Sequence, residues 1–123
     1  MKVVDPGHAY DLTTFDGEGH IRLHFMKRMG EKYPGNTSSY PGTNLQEVLR
    51  VLIDRYKYLQ RQKPCLENSY SIGILRFLLI LLERRAAREH NRAPDPVLAQ
   101  PKAHIENAPF CTTCGHIGCM EHQ

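Results

Sequence analysis

The strongest pattern in the chain is a helical repeat of apolar positions within residues 43–91. In its first half, apolar residues recur at spacings of three and four and form one predicted helical face: Leu45, Val48, Leu49, Leu52, Tyr56 and Leu59. Thr43 and Asn44 are both N-cap residue types, and each is followed three residues later by Gln46 or Glu47, so either register gives a capping box. The pattern predicts a helix that begins near position 45.

A second helix is predicted over residues 66–91. Pro64 ends the first helix, and the short connection at residues 62–65 favours an antiparallel hairpin. The stretch 72–82 is apolar nearly all the way round, with Arg76 as its one charge. Because a helix in a two-helix hairpin needs only one apolar stripe, we expect the N-terminal region to cover one further side and another copy of the chain to cover the rest.

The N-terminal region has the pattern of short strands. Two β-compatible runs, 8–15 and 20–27, flank a turn-forming cluster at 16–19. In the second run, apolar Ile21, Leu23 and Phe25 alternate with polar residues, which is the period of a half-buried strand. Residues 33–42 are rich in turn formers and are predicted to be a loop.

These elements predict an α+β chain of three parts. Residues 1–42 are a β-hairpin or small antiparallel sheet, residues 43–91 are the antiparallel two-helix hairpin, and residues 92–123 are a proline-rich linker and a Cys/His-rich tail. The chain is expected to be oligomeric because of the second helix.

Composition excludes some partners. The 16 Lys+Arg against 13 Asp+Glu leave a net charge of +3, which is too small for a protein that coats bulk nucleic acid. The first residues lack the apolar core of a signal peptide, and no apolar run is long enough for a bilayer. We therefore expect a cytoplasmic protein without a membrane partner.

The tail carries a candidate zinc site. It contains five donors for the four places of a tetrahedral shell: Cys111, Cys114, His116, Cys119 and His122. We favour Cys111, Cys114, Cys119 and His122, in a structural role, because no acid or base stands in a fixed relation to them. The alternative is a tail that is rich in these residues without holding metal.

Motifs of catalysis are missing from the sequence. It has no Gly-x-Ser-x-Gly, no phosphate-binding glycine loop and no His-Glu-x-x-His, and the glycines at 7, 17, 19, 30, 35 and 42 fall in predicted turns. The chain is therefore expected to be a binding protein and not an enzyme.

Four residues of the hairpin have side chains suited to a nucleotide. Arg85 and Arg88 are three residues apart on one helical face and can hold two phosphates. Asn68 can hydrogen-bond to a purine edge, and Tyr58, near the tip, can stack on a base. The alternative is structural: the arginines interact with the dipole at the helix C-terminus, and Asn68 caps the helix N-terminus.

Distance limits how these residues can cooperate. Asn68 and Arg85 are 17 residues apart on one predicted helix, which is roughly 25 Å at about 1.5 Å per residue. A single nucleotide does not span that length. If both serve one pocket, the arginine comes from a neighbouring chain, and the same assembly covers the apolar helix.

At these residues, the stretch 42–90 resembles the helical-hairpin domain of phage anti-CBASS and anti-Thoeris sponge proteins. The resemblance is carried by three stretches: Gln46-Glu47-Val48-Leu49, Pro64-Cys65-Leu66-Glu67-Asn68 and Leu75-Arg76 through Leu82-Glu83-Arg84-Arg85. Strands before the hairpin look like the anti-Thoeris member in particular. The match covers about 50 residues, the strands only in outline and the tail not at all.

The resemblance implies a catalytically inert homohexamer that sequesters cyclic di- or trinucleotides or cyclised ADP-ribose in the cytoplasm of an infected bacterium. It places Tyr58 on adenine, Asn68 on the base edge and Arg85 on phosphate. The family's second arginine falls at Glu89 here, next to Arg88. Cyclic oligonucleotides bind between hairpins in the family, and the candidates for contacting them are Arg76 and Arg50.

Two other functions fit the same residues. A zinc-containing nucleic-acid-binding module would use the tail and the basic helix end, and its binding would depend steeply on salt. A small hydrolase of cyclic nucleotides would release a linear product.

Overall fold

The computed structural model describes residues 1–29 and 37–89, and the chain divides into two compact units, Met1–Leu45 and Gln46–Gln123. The first unit holds a three-stranded antiparallel sheet and a two-stranded one, and two helices follow, so the α+β class is confirmed. The elements are β1 (Lys2–Asp5), β2 (Ala9–Thr13), β3 (His20–His24), β4 (Lys27–Met29), β5 (Thr37–Tyr40), α1 (Leu45–Gln62) and α2 (Leu66–Glu89).

The three-stranded sheet has the order β1-β2-β3. The β2–β3 hairpin pairs Ala9 with His24 at one end and Thr13 with His20 at the other, so the predicted turn lies between them. In that turn the Asp16 carboxylate accepts hydrogen bonds from the Thr14 hydroxyl at 2.6 Å and from the Glu18 amide at 3.0 Å. These side-chain bonds close the turn that the sequence predicts.

Each face of this sheet has its own chemistry. Asp11 lies opposite both Lys2 and Arg22, and Arg22 donates two hydrogen bonds to its carboxylate. The other face is apolar because Tyr10 pairs with Leu23, and Leu12 pairs with Ile21. The predicted alternation of β3 is therefore confirmed, although Ile21 keeps 62% of its surface exposed.

Three strands were not predicted as separate elements: β1, β4 and β5. β1 precedes the predicted hairpin, and β5 (Thr37–Tyr40) occupies part of the segment expected to be a loop, where it pairs antiparallel with β4. The loop prediction is wrong at those four residues. Short polar segments become strands when a partner edge takes up their backbone hydrogen bonds, and local composition does not show that partner.

Gly42 is required by a close approach of two backbones and not by a turn. A Cβ at this position would lie 2.5 Å from the Phe25 carbonyl carbon and 2.6 Å from the Met26 nitrogen. The next residue, Thr43, donates its N–H to His24 O and accepts from the Met26 N–H. The chain thus passes directly beside the end of β3, and Asn44 becomes the residue before α1.

The core of the helical hairpin is small and well defined. Leu49, Ile53 and Leu79 form its buried centre, and four partly buried residues pack against it: Ile72, Leu75, Ile80 and Leu82. Leu49 lies 14 residues before Lys63, and Leu79 lies 14 residues after Cys65. The two leucines are therefore equally far from the connection, which places them at the same level of an antiparallel hairpin.

The apolar face of α1 is rotated from the predicted one. Leu45 and Leu52 were expected on it, yet they are 48% and 41% exposed, whereas Ile53 is 1% exposed. A run with apolar residues at 48, 49, 51, 52 and 53 fits more than one face. Packing against Leu79 of α2 selects the face that contains Leu49 and Ile53.

α2 has a buried and an exposed side, and both are largely apolar. Leu79, Glu83, Ala86 and Ala87 lie on the buried side. The exposed large apolar residues of this helix are Leu66, Tyr70, Ile74, Phe77, Leu78 and Leu81. The helix that the sequence predicted to be apolar all round is therefore partly uncovered within one chain. Among the described residues, no helix combines the length and apolarity that crossing a membrane demands.

Replacing Ile53 with alanine should lower the free energy of unfolding by about 2–4 kcal/mol, because its side chain fills the centre of the hairpin core. Urea unfolding at one protein concentration measures this change. The matched control is Val51→Ala, at a position that is 66% exposed, and it should change the free energy by less than about 0.5 kcal/mol. Equal losses in the two variants would contradict the observed rotation of α1.

The Arg22 hydrogen bond holds the pKa of Asp11 below its ordinary value of 3.8, and burial opposes this shift. Because the folded-state pKa is the lower one, the pair stabilises the sheet fully above about pH 4 and loses this effect as pH falls through that pKa. Arg22→Gln should raise the Asp11 pKa in a carboxyl NMR titration. The pKa of Asp16, lowered mainly by the Thr14 hydroxyl, should stay unchanged, and an unmoved Asp11 would contradict the assignment.

Candidate ligand-binding residues on the helical hairpin

Tyr58 lies in the last turns of α1, at the tip end of the hairpin, and 44% of its surface is exposed. Its hydroxyl accepts a hydrogen bond from Gln62 Nε2 at 2.9 Å, one helical turn later. The Arg55 guanidinium carbon is 5.5 Å from the centre of the Tyr58 ring. The ring is therefore held at the surface by two helical neighbours, with the Arg55 guanidinium over one of its faces.

Gln60 connects the two helices at the tip. Its Nε2 donates to Ser69 Oγ at 2.9 Å, and its Oε1 accepts from the Cys65 N–H at 3.0 Å. Cys65 directly precedes α2, so its amide has no partner within that helix. Through these two hydrogen bonds, Gln60 fixes the first turn of α2, which carries the half-buried Asn68.

The opposite end of α2 is basic. Arg84, Arg85 and Arg88 are all exposed, and they lie beside the buried positions Glu83, Ala86 and Ala87 in the last turns of the helix. Arg85 Nε lies 3.6 Å from Glu89 Oε1, one turn later. A ligand phosphate on Arg85 therefore replaces, or competes with, a carboxylate that the chain itself supplies.

Arg50 and Arg76 lie in the middle of the hairpin, and both are half-buried. Arg50 donates to Glu47 Oε1 at 2.6 Å, an i,i+3 ion pair in the first half of α1. Both residues have interactions within the chain, so any ligand contact there exchanges one partner for another.

The six predicted ligand-binding residues are thus spread over three levels. Tyr58 and Asn68 are at the tip, two arginines are in the middle, and Arg85 and Arg88 are at the far end. Because α2 is one unbroken helix of 24 residues, Asn68 and Arg85 are separated by roughly 25 Å of helix axis. One chain does not bring them together.

The predicted zinc donors, Cys111, Cys114, Cys119 and His122, lie outside the described residues, as do positions 90 and 91 of the predicted second helix. Within residues 1–29 and 37–89, no group of three His, Cys, Asp or Glu side chains is arranged to hold a metal.

No protein-family model, curated protein or solved structure matches this chain. The resemblance to the sponge proteins therefore stays a prediction, carried by the motifs of the hairpin.

Two contributors were missed in the sequence. Gln60 has no chemistry of its own, and its value comes from meeting Cys65 across the connection. Arg55 is an ordinary helix-surface charge by sequence, and its i,i+3 spacing from Tyr58 was the available signal. Glu89 was noted as the position of the family's second arginine, but its ion pair with Arg85 was not predicted.

Replacing Gln60 with alanine should expose the Cys65 amide, so its hydrogen exchange should accelerate by about fivefold, as expected when a bond of roughly 1 kcal/mol is lost. Amide exchange followed by NMR measures this at one residue. Gln62→Ala is the matched control, because Gln62 bonds only the exposed Tyr58 hydroxyl. An unchanged Cys65 exchange rate in Gln60→Ala would show that the bond does not hold the tip.

Proposed function

We propose that this protein binds cyclic nucleotide signals, either cyclic di- and trinucleotides or cyclised ADP-ribose, and withholds them without cleaving them. It does so as an oligomer, for which the sequence motifs favour six chains. The observation that carries the proposal is the separation of the candidate groups along the hairpin: the exposed Tyr58 and the half-buried Asn68 lie at the tip, and the exposed Arg85 and Arg88 lie roughly 25 Å of helix axis away. Such a helix forms a complete site only when two chains contribute.

The chemistry of each end supports a nucleotide ligand. The exposed Tyr58 ring, held by Gln62 and Arg55, offers an aromatic surface, and stacking on a base contributes about 1–3 kcal/mol. Asn68 carries both a donor and an acceptor, which suits the edge of a purine. Arg85 offers a guanidinium that can bond two phosphate oxygens at once.

Glu89 tunes the phosphate end. Its Oε1 lies 3.6 Å from Arg85 Nε, so part of the attraction for phosphate is offset by loss of this ion pair. The Arg85 side chain is 57% exposed and the Glu89 side chain 32%, so water screens the pair and that loss is small.

Withholding a signal needs no chemistry. A protein that binds tightly and releases slowly lowers the free ligand by mass action, in proportion to its own concentration. A site closed between two chains removes water from both partners, which strengthens the contacts to phosphate.

Binding of a cyclic dinucleotide and of cyclised ADP-ribose, measured by calorimetry, should show sub-micromolar affinity for at least one of them. Arg85→Ala should weaken the binding of cyclised ADP-ribose by about 2–5 kcal/mol, because the charge-assisted hydrogen bonds to phosphate are lost. Tyr58→Ala should cost about 1–3 kcal/mol through lost stacking. Glu89→Gln, which removes the carboxylate beside Arg85, should act in the opposite direction and bind more tightly.

Mixing the Arg85→Ala and Tyr58→Ala chains should restore a fraction of the sites, since one intact pocket can form from the two undamaged ends. Ligand recovered after denaturation should be chemically unchanged. A linear product would make the protein a hydrolase. Binding that ignores small cyclic ligands and falls steeply with salt would support a nucleic-acid-binding module instead.

A further inference from the structure

The exposed side of α2 carries a continuous apolar stripe. Tyr70, Ile74, Phe77 and Leu81 follow one another at spacings of four, three and four residues, and they are 69%, 67%, 61% and 43% exposed. This is the spacing of positions that meet along the seam of two packed helices. The opposite side of the same helix is already used, because Leu79 packs into the core of the hairpin.

The stripe ends in opposite charges. One step of the same repeat before Tyr70 is Glu67, and one step after Leu81 is Arg84. Both side chains are exposed. The full seam is therefore Glu67, Tyr70, Ile74, Phe77, Leu81 and Arg84, with an acid at its N-terminal end, four apolar residues and a base at its C-terminal end.

This order determines which partner fits. If a second copy of α2 lay parallel, Glu67 would face Glu67 and Arg84 would face Arg84, and like charges would repel at both ends. In an antiparallel copy, Glu67 faces Arg84 at both ends. The apolar residues then pair in layers, Ile74 with Phe77 in the middle and Tyr70 with Leu81 outside.

We propose that the exposed seam of α2 is a two-fold interface on which a second copy of this chain packs antiparallel. The seam is its own complement in residue order and charge, which a surface for an unrelated protein would not need to be. It runs from Glu67 to Arg84, 17 residues later, or roughly 25 Å of helix axis. Larger assemblies add further contacts to this pair.

The pairing also deepens the proposed function, on which this one consequence rests. In the antiparallel arrangement, the tip end of one α2 lies beside the last turns of the other, so the candidate base-binding end of one chain and the candidate phosphate-binding end of its partner lie at the same end of the pair. Asn68 itself is on the side of α2 that carries Leu79, so the two-fold axis brings the two ends together without placing Asn68 in the seam.

Charge reversal at the seam tests the pairing. Glu67→Arg and Arg84→Glu should each place like charges at both ends of the interface and raise the dissociation constant of the dimer by about tenfold or more. The double variant Glu67→Arg, Arg84→Glu should restore it to within about threefold. Sedimentation equilibrium measures these constants, and the far-ultraviolet circular dichroism of each variant verifies that the helices are intact.

The double variant separates pairing from effects within one helix. Each reversal opposes the helix dipole, and the two positions are too far apart along one helix to compensate each other. If Glu67 and Arg84 do not meet across an interface, the dissociation constant of the double variant should be at least as high as that of the weaker-associating single variant. That outcome would overturn the proposal. Asp54→Arg, an exposed reversal on α1, should leave the dissociation constant unchanged.

Ile74→Asp should give a folded chain that sediments as a monomer of 14.1 kDa. The unmodified chain should sediment as a larger species near 100 µM, which is about a hundredfold above a micromolar dissociation constant. If the unmodified chain also sediments at 14.1 kDa at that concentration, the seam is refuted. An unmodified chain that pairs through the seam and binds no cyclic nucleotide would refute the proposed function alone. A chain that binds the nucleotide and ignores every seam variant would refute the seam alone.

Discussion

The unbroken course of α2 is the constraint on which the rest of the hairpin depends. Its 24 residues run without a helix breaker, so its two ends are held roughly 25 Å apart, and each exposed residue has a fixed position relative to the others. One side of the helix provides Leu79 to the core with Leu49 and Ile53. The other side presents apolar residues and terminal charges to the outside.

A protein that keeps large apolar side chains exposed on one face of a helix has an unsatisfied hydrophobic surface. The same helix separates the groups suited to a base from those suited to phosphate. In the proposed assembly, a second chain covers the stripe and supplies the other end. The proposed oligomer and the proposed ligand site thus depend on the same geometric fact, the length of α2.

Much of the fold follows from the sequence because its signals are local. Pro64, the N-cap residues before α1 and the turn at Asp16 each act within a few residues, and the two helices and the β2–β3 hairpin lie where those signals predict. The sequence also identified α2 as a helix with more apolar surface than a hairpin can bury.

The rest depends on partners that are distant in sequence. Leu79 decides that Ile53 is buried and Leu52 is not. β4 decides that Thr37–Tyr40 is a strand, and the backbone beside Phe25 decides that position 42 is glycine. In the candidate site, Gln60 and Arg55 act through the groups they meet, Cys65 and Tyr58, so their residue types did not reveal them.

Native mass spectrometry of the purified protein tests the central claim, an inert assembly that holds its ligand between chains, most directly. The account predicts an even multiple of 14.1 kDa, together with bound ligand whose released mass is that of an intact cyclic nucleotide. Monomers of 14.1 kDa that carry no nucleotide, and take none up when a cyclic dinucleotide or cyclised ADP-ribose is added, would contradict it.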